Sequence, residues 1–211
     1  MKKLKSKKKI AVITTTRADY GLLKNLITKF NKSKYISCKL IVCGTHNLQK
    51  FGKTIEEIKK DKLKISEVLK VNFNEDKKHD ISNFFLQTGQ KFNHYLKKNH
   101  LDGILVLGDR YEILSIVSIA KIYNIPIIHL HGGESTYALI DESIRHAITK
   151  LSCLHFTSHK KYKLRLEKMG ESPKSVFSFG GLGAPRISKI KLINKTYLKK
   201  ILKMDLSKKY F

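Results

Sequence analysis

At 211 residues, 41% of them hydrophobic, the chain has room for one domain that buries roughly 70% of its unfolded surface, which excludes wholesale disorder. Its formal net charge of +26 comes from 38 Lys and only 5 Arg, spread along the chain beside 24 Ile; this mixture reflects A/T-rich coding as much as selection for a polyanion, so nucleic-acid recognition, which favours the planar Arg fork, is disfavoured. Cys38, Cys43 and Cys153 form no CxxC pair, and the longest apolar stretch, Ile113 to Leu130, is broken by Lys121, Asn124 and Pro126, so a disulfide framework, a zinc ribbon and a membrane span are disfavoured and a reducing cytoplasm is expected.

Residues 2–9 hold six Lys and read as a basic leader, residues 1–8, that is too poor in apolar residues for a signal peptide. Ile10–Thr14 then reads as a buried strand, and a helix follows from about Asp19 to Asn31. Ile36–Cys43 is a second strand, with a helix at 54–60 and a weak strand near 64–70. Phe84, Phe85, Thr88, Phe92, Tyr95 and Leu96 give Ile81–Asn99 helical spacing. Gly103–Leu107 is an almost wholly apolar strand, and Tyr111–Tyr123 a buried helix. Pro126–His131 is a strand, Asp141–Ser152 a helix, Leu154–Ser158 a strand, His159–Met169 a helix and Ser175–Phe179 a last strand. Residues 187–211 are a Lys-rich tail with some helical periodicity at Ile190, Ile193, Leu198, Ile201 and Leu202. Continuous apolar strands alternating with helices predict an α/β fold, a doubly wound, Rossmann-like parallel sheet occupying residues 9–186.

In such a sheet, ligands bind beyond the carboxyl ends of the strands. The segments that follow the strands there are Thr14 to Gly21, Gly44-Thr45-His46, Gly108-Asp109-Arg110, His131-Gly132-Gly133-Glu134 and Gly180 to Gly183. Glycine turns and unusual polar residues therefore gather at one edge. Arg17, Arg110 and Arg145 lie in or just beyond these turns, where a guanidinium suits bidentate contact with an anion; structural pairing with Asp109 or Asp141 is the competing reading. Asp141 and Arg145 are four apart, as are Glu142 and His146, so each pair shares a helix face. His129 and His131 fall on one side of their strand, but no third ligand has the spacing for a metal, and none is expected. Gly103 and Gly108 have Walker-A spacing without the following Lys-Ser/Thr, and Gly181-Leu182-Gly183 lacks a third glycine, so ATP hydrolysis and NAD binding are disfavoured. The Arg17 turn, leading into a helix N-terminus, can still hold a diphosphate.

The stretches TTTRADYGLL (14–23), VCGTHNLQKFG (42–52), LVLGDRYEIL (105–114) and IPIIHLHGGESTYALIDESIRHAITKLSCLHF (125–156) resemble the hydrolysing UDP-N-acetylglucosamine 2-epimerases, in particular the bacterial branch serving sialic-acid-like surface glycans. The resemblance covers most of residues 10–185 and implies one half of a glycosyltransferase-B-like, two-domain architecture. It implies a reaction without added cofactor, in which the C2 proton is removed, UDP leaves by elimination, and water adds to the glucal intermediate to give N-acetylmannosamine. It implies that Arg17 contacts the diphosphate of the nucleotide-sugar substrate and that Asp109 and Asp141 are catalytic or sugar-orienting carboxylates. Arg145, with Glu142 and His146 on the same helix, would help hold the substrate, and Arg110 and His46 would line the site. Some relatives carry Glu at the place of His131, so His131 and Glu134 both stand as the base. The second domain implied by the family is absent from residues 1–211, so a separate polypeptide carrying a C-terminal half is expected as a partner, and a homo-oligomer stays open. A non-catalytic nucleotide-sugar-binding or interaction remnant is the competing expectation.

Overall fold

Strands whose residues are apolar on both faces must be covered on both faces, and helices do this when they alternate with parallel strands. The computed structural model, which describes residues 6–73, 77–136, 139–183 and 194–202, has this arrangement. Strand β1 (Lys8–Thr14) leads into α1 (Arg17–Lys32) and β2 (Ile36–Val42). Two 3-10 turns, Gly44–Asn47 and Gln49–Phe51, precede α2 (Ile55–Lys60) and β3 (Ile65–Val68). Then follow α3 (Lys78–Leu96), β4 (Gly103–Leu107), α4 (Tyr111–Ile122), β5 (Ile127–Leu130), α5 (Ile140–Leu151), β6 (Leu154–Thr157), α6 (Lys160–Lys168) and β7 (Val176–Ser178).

The seven strands form one sheet in the order β3-β2-β1-β4-β5-β6-β7, and every pairing is parallel. The strand order reverses between β1 and β4, which opens a crevice between their carboxyl ends. All five residues of β4 are buried. Ile13, Ile41, Ile104, Val106 and Ile127 of the sheet pack with Ile113, Ile116 and Val117 of α4 and Phe92 of α3. Each such buried side chain contributes about 1.5–3 kcal/mol over leaving it in water, so this core holds the loops at the carboxyl edge in place.

The chain divides into two compact units, residues 1–181 and 182–211. In the second, α7 (Lys195–Leu202) begins where Asn194 Oδ1 accepts from the Tyr197 N–H at 2.7 Å. Residues 1–5 of the expected leader, the expected boundary at 186/187, and Ile190 and Ile193 of the tail lie outside the described residues.

Element boundaries differ from expectation where polar groups decide them. Strand β1 starts at Lys8, because Lys8 and Lys9 pair with β2 while their side chains reach water; Lys8 Nζ lies 3.1 Å from Asp102. Helix α1 starts at Arg17, two residues early, because Thr16 is its N-cap and Asp19 closes a capping box. Strand β5 stops at Leu130: His131 takes φ +62°, which ends the alternation of faces, so the same-side relation expected of His129 and His131 does not apply.

Candidate active site

The turns after β1, β2 and β4 enclose a cavity of about 430 Å3. Arg17 and Arg110 line it, with Thr16, Thr45 and Thr54 as hydroxyl groups and Phe51, Phe73 and Tyr111 as apolar wall. Asp19 accepts from the N–H groups of Thr15 and Thr16 and from the Thr15 hydroxyl, which fixes the turn. Gly44 has φ +64°, and a Cβ there would lie 2.4 Å from the Thr15 carbonyl oxygen, so only glycine lets β2's turn close against β1's. Arg17 is largely exposed, with Nε 2.8 Å from Glu57. An ion pair so exposed is weak, and the guanidinium can turn to a ligand.

His46 sits beneath this cavity. It is fully buried, with Nε2 2.9 Å from Thr14 Oγ1 and Nδ1 2.8 Å from Thr54 Oγ1. Burial pulls its pKa down to about 4, so it is neutral at pH 7 and both nitrogens are engaged. His46 thus braces Thr14 and Thr54 and does not itself present a nitrogen to the cavity.

A second cluster spans the turns after β4, β5 and β6. Arg145 of α5, almost fully buried, donates Nη2 to Asp109 and Nη1 to the Glu134 carbonyl at 2.7 Å. It pairs with Asp109 although Asp141 has the helical spacing, because α5 aims Arg145 at the end of β4 while Asp141 stands in the first turn. Asp141 is half-buried and has no hydrogen-bond or ion-pair partner among the described residues.

Glu134 Oε1 accepts from the Ser158 hydroxyl at 2.5 Å and lies 3.0 Å from His131 Nδ1. Burial would raise this carboxyl, but the hydrogen bonds from His131 and Ser158 outweigh it and hold the pKa below the ordinary value. Glu134 is therefore an anion at pH 7. His131 Nε2 is buried without a partner among the described residues. On α5, Glu142 accepts from Ser135 at 2.9 Å and stands 3.6 Å from His146, as the i,i+4 spacing predicts.

The loop 131–134 is fixed from two further sides. Gly133 has φ +78°, and a Cβ there would lie 2.8 Å from the Tyr162 carbonyl oxygen. Its own carbonyl accepts from Arg165 Nη1 at 3.0 Å. Behind it, His129 donates Nε2–H to the Gly108 carbonyl at 2.8 Å, which leaves Nδ1 to accept from Thr149 Oγ1 at 3.2 Å. Burial lowers the His129 pKa to about 4, so it is a neutral strut between β4 and α5.

Of the ten residues singled out from the sequence, the second cluster holds Asp109, His131, Glu134, Glu142, Arg145 and His146, with Asp141 at the start of the same helix. Arg17 and Arg110 border the cavity, and His46 lies under it. Sequence reasoning missed Glu112, Ser158 and Arg165. Ser158 follows β6, so the sheet-edge rule reaches it, and Arg165 carries a signal in being one of only 5 Arg. Glu112 stands inside an apolar helix and gives no such sign.

The family model described as UDP-N-acetylglucosamine 2-epimerase matches residues 28–211. The chain is 42% identical to the polysialic acid biosynthesis protein P7 of Escherichia coli over 97% of its own length and 52% of that protein. It is 38% identical to the hydrolysing GDP/UDP-N,N'-diacetylbacillosamine 2-epimerase of Campylobacter jejuni, over 98% of this chain and 53% of that one. Among solved structures, UDP-GlcNAc 2-epimerase from Neisseria meningitidis, bound to UDP-GlcNAc, superposes with a TM-score of 0.74 at 18% identity, covering 92% of this chain and 52% of that one. The chain spans about half the length of the curated relatives it matches.

Proposed function

The chain belongs to the UDP-N-acetylglucosamine 2-epimerase family, and on that premise we propose that it carries the sugar-facing site of a hydrolysing nucleotide-sugar 2-epimerase. The observation that carries this is Arg145, which ties Asp109 on the β4 turn to Glu134 on the β5 turn and so gathers acid/base groups at the carboxyl edge. The substrate is a nucleotide diphosphate sugar, with UDP-N-acetylglucosamine first and the diacetamido sugars named for relatives next. Arg17 and Arg110 face its diphosphate. The base is His131 or Glu134, which takes the C2 proton while the C1–O bond breaks and UDP departs, with Asp109 and Asp141 as further catalytic or sugar-orienting carboxylates. Water then delivers hydroxide to C1 and a proton to the opposite face of C2, giving free N-acetylmannosamine. Glu134, anchored by Ser158, orients His131, and Glu142 with His146 borders the sugar.

Electrostatic stabilisation of this kind needs a cleft closed to water. The turns at the carboxyl edge of the sheet form one wall, and a second domain facing that edge, on this or a separate polypeptide, completes it. Association of copies of the chain is compatible with this arrangement. Among the described residues no helix is long and apolar enough to cross a membrane, and the three cysteines are free thiols, which supports action in the cytoplasm.

The test is incubation with UDP-N-acetylglucosamine, or a UDP-linked diacetamido sugar, with and without the C-terminal half of the Escherichia coli relative. Release of UDP together with the C2-inverted free sugar is expected when the second half is present. A complex of both halves that yields neither product from any of these substrates contradicts the proposal.

A further inference from the structure

Glu112 stands in the first turn of α4, two residues beyond Arg110, and the chemistry above gives it no part. Its side chain is fully buried. Burial raises its carboxyl above the ordinary range, and the neighbouring Arg110 offsets only part of this. One oxygen accepts from Arg110 Nε at 2.6 Å, while Oε2 is buried with no partner among the described residues. A carboxylate so placed is a poor way to pack a helix otherwise lined by Ile113, Ile116 and Val117. What it does is local: it grips the guanidinium by Nε and so fixes the plane of the fork. The Nη1/Nη2 edge has no hydrogen-bond partner among the described residues. Arg110 lines the 430 Å3 cavity beside Thr16, Arg17, Thr45 and Thr54, and among the described residues no carboxylate stands in that wall.

We infer that Glu112 is a positioning residue, holding Arg110 so that its two terminal nitrogens meet two oxygens of a diphosphate in this cavity. The inference rests on the nucleotide-sugar reading and gives a specific job to a residue that the reaction does not touch. A guanidinium held by Nε loses less freedom when it binds, and its remaining edge has the bidentate geometry that matches phosphate.

The probe is inorganic pyrophosphate, titrated calorimetrically into the full chain at constant ionic strength, with thermal unfolding of each variant measured alongside. Glu112→Ala is expected to weaken saturable pyrophosphate binding about tenfold, while Glu112→Gln, which keeps an acceptor for Nε, stays within about threefold of the parent. In an Arg110→Ala background, Glu112→Ala is expected to add no further loss. If Glu112→Ala does not fold, Glu112→Leu keeps the volume without the acceptor and takes its place. Unchanged binding in a folded Glu112→Ala or Glu112→Leu variant, or an equal loss in both backgrounds, overturns the positioning role even where the parent binds pyrophosphate and the nucleotide-sugar reading stands. A parent chain with no saturable binding overturns both the placement of the diphosphate and the role of Glu112.

Discussion

Arg145 holds two turns at once, so shortening it acts on both. Arg145→Ala leaves Asp109 without its cation and the Glu134 carbonyl without a donor, at a cost of about 2–3 kcal/mol, which a denaturant melt reads directly. Asp109→Asn is the milder change, because the amide oxygen still accepts from Arg145. Its fold is expected to survive, while turnover of the complete enzyme falls about 10²–10⁴-fold, as for loss of an acid/base group. His46 and His129 add a pH dependence to stability. Each has a pKa near 4 in the folded chain against an ordinary 6.5. Between these values the unfolded chain binds more protons, so stability is full above about pH 6.5 and falls as pH drops toward 4. Chemical denaturation at pH 7 and pH 5 checks this, and His129→Gln is expected to flatten the slope. Residue-scale chemistry was only partly legible in the sequence. The spacing that places Glu142 beside His146 was readable, but the same spacing was silent on whether Arg145 would choose Asp141 or Asp109, since the choice depends on how α5 is aimed across the sheet.

At the scale of elements, the loops carry the candidate site and the strands hold the loops. The 131–134 loop is locked by a left-handed His131, the left-handed Gly133 and carbonyl contacts from two arginines on different helices. Backbone strain kept at such a place points to function, because a purely structural turn would relax it. Gly133→Ala adds a Cβ 2.8 Å from the Tyr162 carbonyl at φ +78°, so the loop must shift. A loss of about 1–3 kcal/mol in stability is expected, with weaker sugar-nucleotide binding, and paired melting and titration curves measure both. Element types were readable because β-branched apolar runs bounded by glycine turns leave few alternatives. Their ends were less so. Thr16 as a cap and Asp19 as its capping-box partner moved the start of α1 by two residues, since a polar cap competes locally with any apolar period. The turn at His131 was likewise hidden, because nothing in the residue type announces a positive φ.

For the whole molecule, the sheet order β3-β2-β1-β4-β5-β6-β7 puts the reversal point between β1 and β4, beside the turns that hold Arg17 and Asp109-Arg110. That convergence was legible from the sequence, because parallel connectivity sends every loop after a strand to one edge. Glu112 was not, since its meaning lies in a partner two residues away and a cavity formed by distant turns. The net charge of +26 comes from 38 Lys and only 5 Arg, and three of those arginines, Arg17, Arg110 and Arg145, stand in or just beyond the turns after the strands. The most direct measurement is the reaction in deuterium oxide, with this chain joined to a complementary C-terminal half and supplied with UDP-N-acetylglucosamine. NMR is expected to show free N-acetylmannosamine bearing deuterium at C2, formed in step with UDP and lost in Asp109→Asn. Product that keeps its C2 proton, or an inverted sugar still linked to UDP, would contradict removal of the C2 proton with departure of UDP at this site.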